Sequence, residues 1–212
     1  VTTQTFSVSI LDDALDGDDE TVILTLANAV NATLTAPNPA TLTIVDDDDP
    51  PAASFSQATY SMGEGESTAV ITITLSAPSG KMVTVGYATS DGTATAGQDY
   101  TSISGTLTFA SWVTVQTFSV TILDDALDED DETVILTLAN AVNATLAAPN
   151  PATLTIVDND DSPSIAFSQA TYSEGEGEGI AVITVTLSAP SSKTVTVDYA
   201  TSDGTATAGQ DY

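Results

Sequence analysis

Carboxylates are the only abundant reactive groups in this sequence. Thirty Asp and Glu residues stand against two lysines, and histidine, cysteine and arginine are absent. Twenty of the acids fall in four short stretches. Asp12, Asp13, Asp16, Asp18, Asp19 and Glu20 form one, and Asp124, Asp125, Asp128, Glu129, Asp130, Asp131 and Glu132 form its near-copy. Asp46–Asp49 form the third, and Asp158, Asp160 and Asp161 the fourth. Carboxylates in clusters can do acid–base catalysis or hold cations. The first use lacks its partners. Without His or Cys there is no thiol nucleophile, no zinc finger, no Cys-held cluster and no Ser-His-Asp triad. Acid pairs are plentiful, but no nucleophile–base pair accompanies them, so no enzyme is expected. The second use fits. Crowded like charges repel, and Lys81 and Lys193 are too few to neutralise them. A divalent cation would. Ca²⁺ accepts about six to eight hard oxygen ligands in flexible geometry, whereas Mg²⁺ demands a strict octahedron and keeps its waters.

The same balance excludes other partners. The formal charge is −28. Nucleic acid and anionic lipid both need clustered Lys and Arg. No apolar run approaches the roughly 20 residues that cross a bilayer, so no membrane insertion is expected. With no Cys, no disulfide can staple the fold. Disorder is not expected either. Hydrophobic residues make up 42% of the chain and charged residues only 15%, which is enough to bury a core.

The elements that must position these acids come from an internal repeat. Residues 1–100 align with residues 113–212 at an offset of 112, with 84 identities and no gap. A period this long is a whole domain. Period-2 alternation marks strands near Ser54–Tyr60, Thr68–Ser76, Met82–Ser90, Gly105–Ala110, Val115–Leu123, Thr133–Ala139 and Ala152–Val157. Turn signals separate them, and no helical period appears. Seven such strands in about 110 residues predict an all-β, seven-stranded antiparallel immunoglobulin-like β-sandwich.

The proline-bearing stretches Asp46–Pro51 and Asp158–Pro163 are the best domain boundaries. One complete domain is expected over 52–161. Residues 1–49 read as the C-terminal half of a preceding copy, and 164–212 as the N-terminal half of a following one. Neither half should bury a core alone, and each should show open sheet edges. The halves fit a window on a longer array. They also fit head-to-tail complementation, in which 164–212 of one chain pairs with 1–49 of the next to build a filament. Two frayed ends are the third reading.

The acidic loop is not an EF-hand. It lacks the D-x-[DN]-x-[DN]-G pattern and has no flanking helices. Four stretches in order, YSMGEGE, YATSDGTATAGQDY, ILDDALDEDDE and ATLTIVDND, instead resemble the Calx-beta domain. That resemblance implies a seven-stranded sandwich with calcium held at one tip. Position by position, it implies ligands at Glu64, Asp91, Asp124, Asp125, the Leu127 carbonyl, Glu129, Glu132, Asp158, Asn159 and Asp160. Asn159 departs from the usual acidic triplet and loses one charge. In the N-terminal half the matching set is Asp12, Asp13, Leu15, Glu20, Asp46, Asp47 and Asp48, with Gly17 in place of Glu129. In the C-terminal half only Glu176 and Asp203 remain. Trp112 stands where the family often has a Pro-Gly-Glu turn. It packs on its own sandwich or anchors a neighbouring module. Asn31 and Asn143 each begin a glycosylation-type triplet, a pattern short enough to arise by chance.

The functional expectation is a calcium-binding structural repeat of an extracellular or cell-surface array, such as a stalk, fibre or adhesin. Its partners would be neighbouring Calx-beta repeats, in the same chain or in head-to-tail copies. The alternative is a regulatory calcium-sensor module.

Overall fold

The computed structural model describes residues 2–212. It divides into two compact units, 1–124 with 132–157, and 125–131 with 158–212.

The first unit holds twelve strands. They are β1 (Glu20–Leu24), β2 (Ala40–Ile44), β3 (Ala52–Phe55), β4 (Thr59–Gly63), β5 (Thr68–Leu75) and β6 (Val83–Asp91). They continue as β7 (Tyr100–Thr101), β8 (Ser104–Phe109), β9 (Val115–Ile122), β10 (Glu132–Val142), β11 (Thr145–Leu146) and β12 (Ala152–Val157). Strands β3 to β12 form two five-stranded sheets, ordered β4-β12-β10-β6-β8 and β11-β3-β5-β9-β7. Pairing is antiparallel except for β4 with β12 and β3 with β11, which are parallel.

Alternation explains the core. In β5 the residues Ala69, Ile71, Ile73 and Leu75 point inward, and the threonines between them are less buried. Phe118, Val120 and Ile122 of β9 do the same, as do Val134, Leu136 and Leu138 of β10. Phe55, Tyr100 and Phe109 are the largest buried side chains. This is the sandwich that the strand pattern predicted.

Several details differ from the sequence reading. The strand pattern predicts seven antiparallel strands, but β7 and β11 are added, one expected run splits in two, and two of the pairings are parallel. The run Ser54–Tyr60 is not one strand. It breaks at residues 56–58, and its halves enter different sheets as β3 and β4. Ser56 N–H donates to the Thr72 carbonyl, and the Tyr60 hydroxyl donates to the same oxygen at 2.9 Å. One carbonyl of β5 thus holds both sides of the corner. Strand β10 runs past Ala139, with a register shift before Val142 and Asn140 at φ 51°. Trp112 is 65% exposed, with φ 70°, so it does not pack into the sandwich.

The N-terminal half contributes one exposed antiparallel pair, β1 with β2. Phe6, Leu11 and Ile23 stay largely exposed. In the second unit, β13 (Ile165–Phe167) pairs with β14 (Val185–Leu187), and Phe167, Ile180 and Val182 are exposed. Neither half buries a core of its own.

Candidate metal centre

Register brings the acids together. In the β1–β2 pair, Glu20 lies opposite Ile44. The last acid of the loop therefore sits beside the strand end from which Asp46 departs. Asp46 N–H donates to Asp19 Oδ1 at 3.1 Å, which ties the linker to the loop. Leu15 N–H donates to Asp13 Oδ1 at 2.9 Å, a side-chain turn that fixes the orientation of the Leu15 peptide.

Between loop and linker lies a cavity of about 200 Å³. Asp12, Asp13, Leu15, Glu20, Asp46, Asp47 and Asp48 all line it, the full set expected for this half. Gly17 and Asp18 line it too. Partial burial, then repulsion from Asp46, Asp47, Asp13 and Asp12, pushes the Asp48 carboxyl above its ordinary 3.8. A bound cation would reverse that repulsion. A Cβ at Gly17 would meet nothing closer than the Leu15 carbonyl at 3.4 Å. The glycine is therefore not sterically required, and a glutamate fits there as it does at 129. Gly17→Glu should add a carboxylate and tighten calcium binding at this site several-fold, read by calcium titration against the parent chain.

The complete repeat uses the same devices. Glu132 lies opposite Ile156, Leu127 N–H donates to Asp125 Oδ1 at 2.7 Å, and Asp158 N–H donates to Asp131 Oδ1 at 3.2 Å. Glu64 is buried, and its N–H donates to the Val157 carbonyl at 2.9 Å, the last residue of β12. In the first unit, Asp99 and Glu132 offer carboxylate oxygens within 4.8 Å of each other. In the second, Asp158 and Asp160 do likewise. Asp158 Oδ1 is buried and accepts no hydrogen bond. A buried, unsatisfied carboxylate oxygen is costly unless a cation meets it, so this donor set fits a hard divalent ion.

Asp91 has a second employment. Its Oδ1 accepts the Tyr100 hydroxyl at 2.7 Å and the Ala96 N–H at 3.0 Å. Asp203 repeats this with Tyr212 at 2.8 Å and Ala208 at 2.9 Å. The hydrogen bonds hold the DGTATAGQDY turn in shape. Glu176 opens a short 3₁₀ turn, Glu176–Glu178, and is exposed. Asp124, Glu129 and Asn159 flank or lie within the two central acidic stretches.

Sequence reasoning missed two acids that the structure singles out. Asp16 and Asp128 are 3% and 4% exposed, by far the most buried of the acidic-loop residues. Each pairs with one of the two lysines, Asp16 with Lys81 at 2.9 Å and Asp128 with Lys193 at 2.7 Å. The available signal was the lysines themselves, which occupy one repeat position 112 residues apart.

Comparison with known proteins places this arrangement. The Calx-beta domain family matches residues 1–48, 46–160 and 158–212. The sodium/calcium exchanger Calx of Drosophila melanogaster is 33% identical over 129 residues, 60% of this chain and 14% of that protein. Extracellular matrix protein 3 of Lytechinus variegatus is 33% identical over 174 residues, 78% of this chain and 6% of that protein. The crystal structure of the apo Calx CBD1 domain superposes with TM-score 0.51 at 30% identity, covering 53% of this chain and all of that one. The calcium binding domain CBD12 of CALX1.1 gives TM-score 0.51 at 30% identity, covering 58% of this chain and 52% of that one. The chain thus spans a small fraction of the full-length relatives. No helix among the described residues is long and apolar enough to cross a membrane. With three tandem matches covering its length, the chain belongs to the Calx-beta domain family.

Proposed function

We propose that this chain is a calcium-binding segment of a tandem Calx-beta array, in which Ca²⁺ sets the stiffness of the joints between repeats. The observation that carries the reading is the acid-lined cavity of the N-terminal half. There the loop acids Asp12, Asp13 and Glu20 meet the linker acids Asp46, Asp47 and Asp48. In the complete repeat the proposed ligands are Glu64, Asp91, Asp124, Asp125, the Leu127 carbonyl, Glu129, Glu132, Asp158, Asn159 and Asp160. Glu176 and Asp203 are the contribution of the C-terminal half. The domain limits proposed are 1–49, 52–161 and 164–212.

The mechanism follows from where the linker acids lie. Residues 46–48 and 158–160 belong to the family match on either side of them. An ion held by these residues fixes the direction in which the chain leaves one repeat and enters the next. Without the ion, the loop and linker carboxylates repel, and the joint loosens. Similarity to an extracellular matrix protein supports a place in an extracellular or cell-surface stalk, fibre or adhesin. Head-to-tail complementation of half-domains into a filament is the version of this role in which the partner is another copy.

A second reading is a regulatory calcium sensor. Similarity to exchanger domains named as calcium binding favours it. Affinity separates the two. Extracellular modules hold calcium at about 10⁻⁴–10⁻³ M and sensors at about 10⁻⁷–10⁻⁵ M.

Thermal unfolding of the whole chain in EDTA, Mg²⁺ and Ca²⁺ tests both. At 100 times its Kd a ligand specific for the native state adds about 2.7 kcal/mol. For the complete repeat that is a rise in Tm of roughly 10 °C. A rise of this size with Ca²⁺, and a much smaller one with Mg²⁺, is expected. No shift up to about 10 mM Ca²⁺, far above the weakest extracellular sites, overturns the reading.

A further inference from the structure

The two lysines and the two buried aspartates are not explained by calcium. Within the first unit, Asp16 Oδ1 accepts Lys81 Nζ at 2.9 Å, and Oδ2 accepts the Ser79 hydroxyl at 2.8 Å. The Asp16 carbonyl accepts Gly80 N–H at 2.8 Å. Ser79 Oγ also accepts Lys81 N–H, which shapes the turn around the incoming carboxylate. Within the second unit the arrangement recurs. Asp128 Oδ1 accepts Lys193 Nζ at 2.7 Å, Oδ2 accepts the Ser191 hydroxyl at 2.8 Å, and the carbonyl accepts Ser192 N–H at 3.1 Å.

We propose that the turns Ser79-Gly80-Lys81 and Ser191-Ser192-Lys193 are receptors for the acidic loop of the preceding repeat, forming a latch that fastens consecutive repeats without metal. Three features support this. Each aspartate is almost fully buried, with both carboxylate oxygens and its carbonyl satisfied by one three-residue turn. A buried carboxylate is tolerated only when paired and hydrogen-bonded in this way. The sequence spends its only two cations here, although many more acids are available for them elsewhere. Finally, the latch occurs twice, in two separate units, with the same partners at the same spacing.

The difference between the turns supports the same role. Gly80 is Ser192 in the other copy. A Cβ at Gly80 would lie 3.3 Å from the Asp16 carbonyl oxygen, and Ser192 Oγ in fact donates to the Asp128 carbonyl at 3.3 Å. The position varies only in a way that adds a bond to the guest residue. The loop's Asp16 or Asp128 grips the next repeat, and in the second unit Lys193 Nζ also comes within 3.8 Å of Asp130 Oδ1 and 4.0 Å of Asp158 Oδ2. The latch does not rest on the calcium reading and stands if that reading fails.

Hydrogen exchange on the whole chain in EDTA tests the latch. The Gly80 and Ser192 amides should be protected although no metal is present. Lys81→Met or Asp16→Asn should lower Gly80 protection by at least about tenfold, because each leaves a buried partner unpaired. The double variant should lose no more than the worse single one. Lys193→Met and Asp128→Asn should do the same at Ser192. Amides of Ile73 and Leu136 report whether the sandwich is still folded. Unchanged protection at Gly80 and Ser192 in the single variants, with the sandwich intact, overturns the proposal. So does protection that appears only when Ca²⁺ is added.

Discussion

Tyr100→Ala should destabilise the complete repeat by about 3–5 kcal/mol, the range for truncating a fully buried aromatic side chain. Differential scanning calorimetry of the whole chain should show a Tm lower by roughly 10–20 °C. The residue is fully buried in the core, and its hydroxyl donates to Asp91 Oδ1 at 2.7 Å. Burial first, and the Asp91 carboxylate second, push the phenol up to about 12, so it remains a protonated donor at neutral pH. Tyr100→Phe keeps the ring and removes only this donor. It should cost about 1–2 kcal/mol, because Asp91 keeps one of its two hydrogen bonds on that oxygen. The chain carries its own control. Tyr212 ends an identical ten-residue turn and makes the same bond to Asp203, yet it is 51% exposed. Tyr212→Ala should leave the main transition within about 2 °C of the parent, as surface changes usually do. Equal losses from both variants would mean that the turn, and not the core, carries the energy.

That contrast also shows what the sequence could reveal. The DGTATAGQDY turn closes with the same bonds in both copies, so its shape is written in ten local residues. The inward faces of β5, β9, β10 and β12 were legible because alternation and burial share a period of two. The convergence of six acids on the N-terminal cavity, Asp12, Asp13, Glu20, Asp46, Asp47 and Asp48, was legible because loop and linker flank an antiparallel pair. The corner between β3 and β4 was not. Alternation runs on through Ser56-Gln57-Ala58, and bonds to residues distant in sequence, the Thr72 carbonyl and the Thr153 N–H that donates to the Ala58 carbonyl, bend the chain there. Asp16 and Asp128 were equally hidden. Each is one acid in a dense run, and its partner lies 65 residues away in the next repeat. Asp99, whose carboxylate approaches that of Glu132, was passed over for the same reason. Long-range pairing of polar residues leaves no period to read.

Gly92→Ala should cost about 3 kcal/mol, at the upper end for forced overpacking, and lower the Tm of the complete repeat by roughly 10 °C or more. The strands β6 and β10 close on each other where Gly92 meets Thr133. Gly92 N–H and Ala94 N–H both donate to the Thr133 carbonyl at 3.1 Å, and the Thr93 and Thr133 hydroxyls each accept the other's N–H. A Cβ on residue 92 would lie 2.5 Å from the Thr133 carbonyl oxygen and 2.6 Å from its hydroxyl. The first of these atoms is backbone, so no rotamer relieves the clash. The strands must part, and the hydrogen bonds just named weaken together. The consequence reaches the proposed metal centre. Glu132 precedes Thr133, and Asp91 precedes Gly92, so parting the strands moves two proposed ligands at once. Calcium affinity should fall along with stability. Gly204 is the counterpart in the second unit, and a Cβ there meets nothing within 4 Å. Gly204→Ala should be neutral, or stabilising by up to about 1 kcal/mol through the unfolded chain. One substitution in two copies of the same motif therefore separates the demands of strand contact from those of the turn itself. If Gly92→Ala matched Gly204→Ala in both melting and calcium titration, the close approach of β6 to β10 would be wrong.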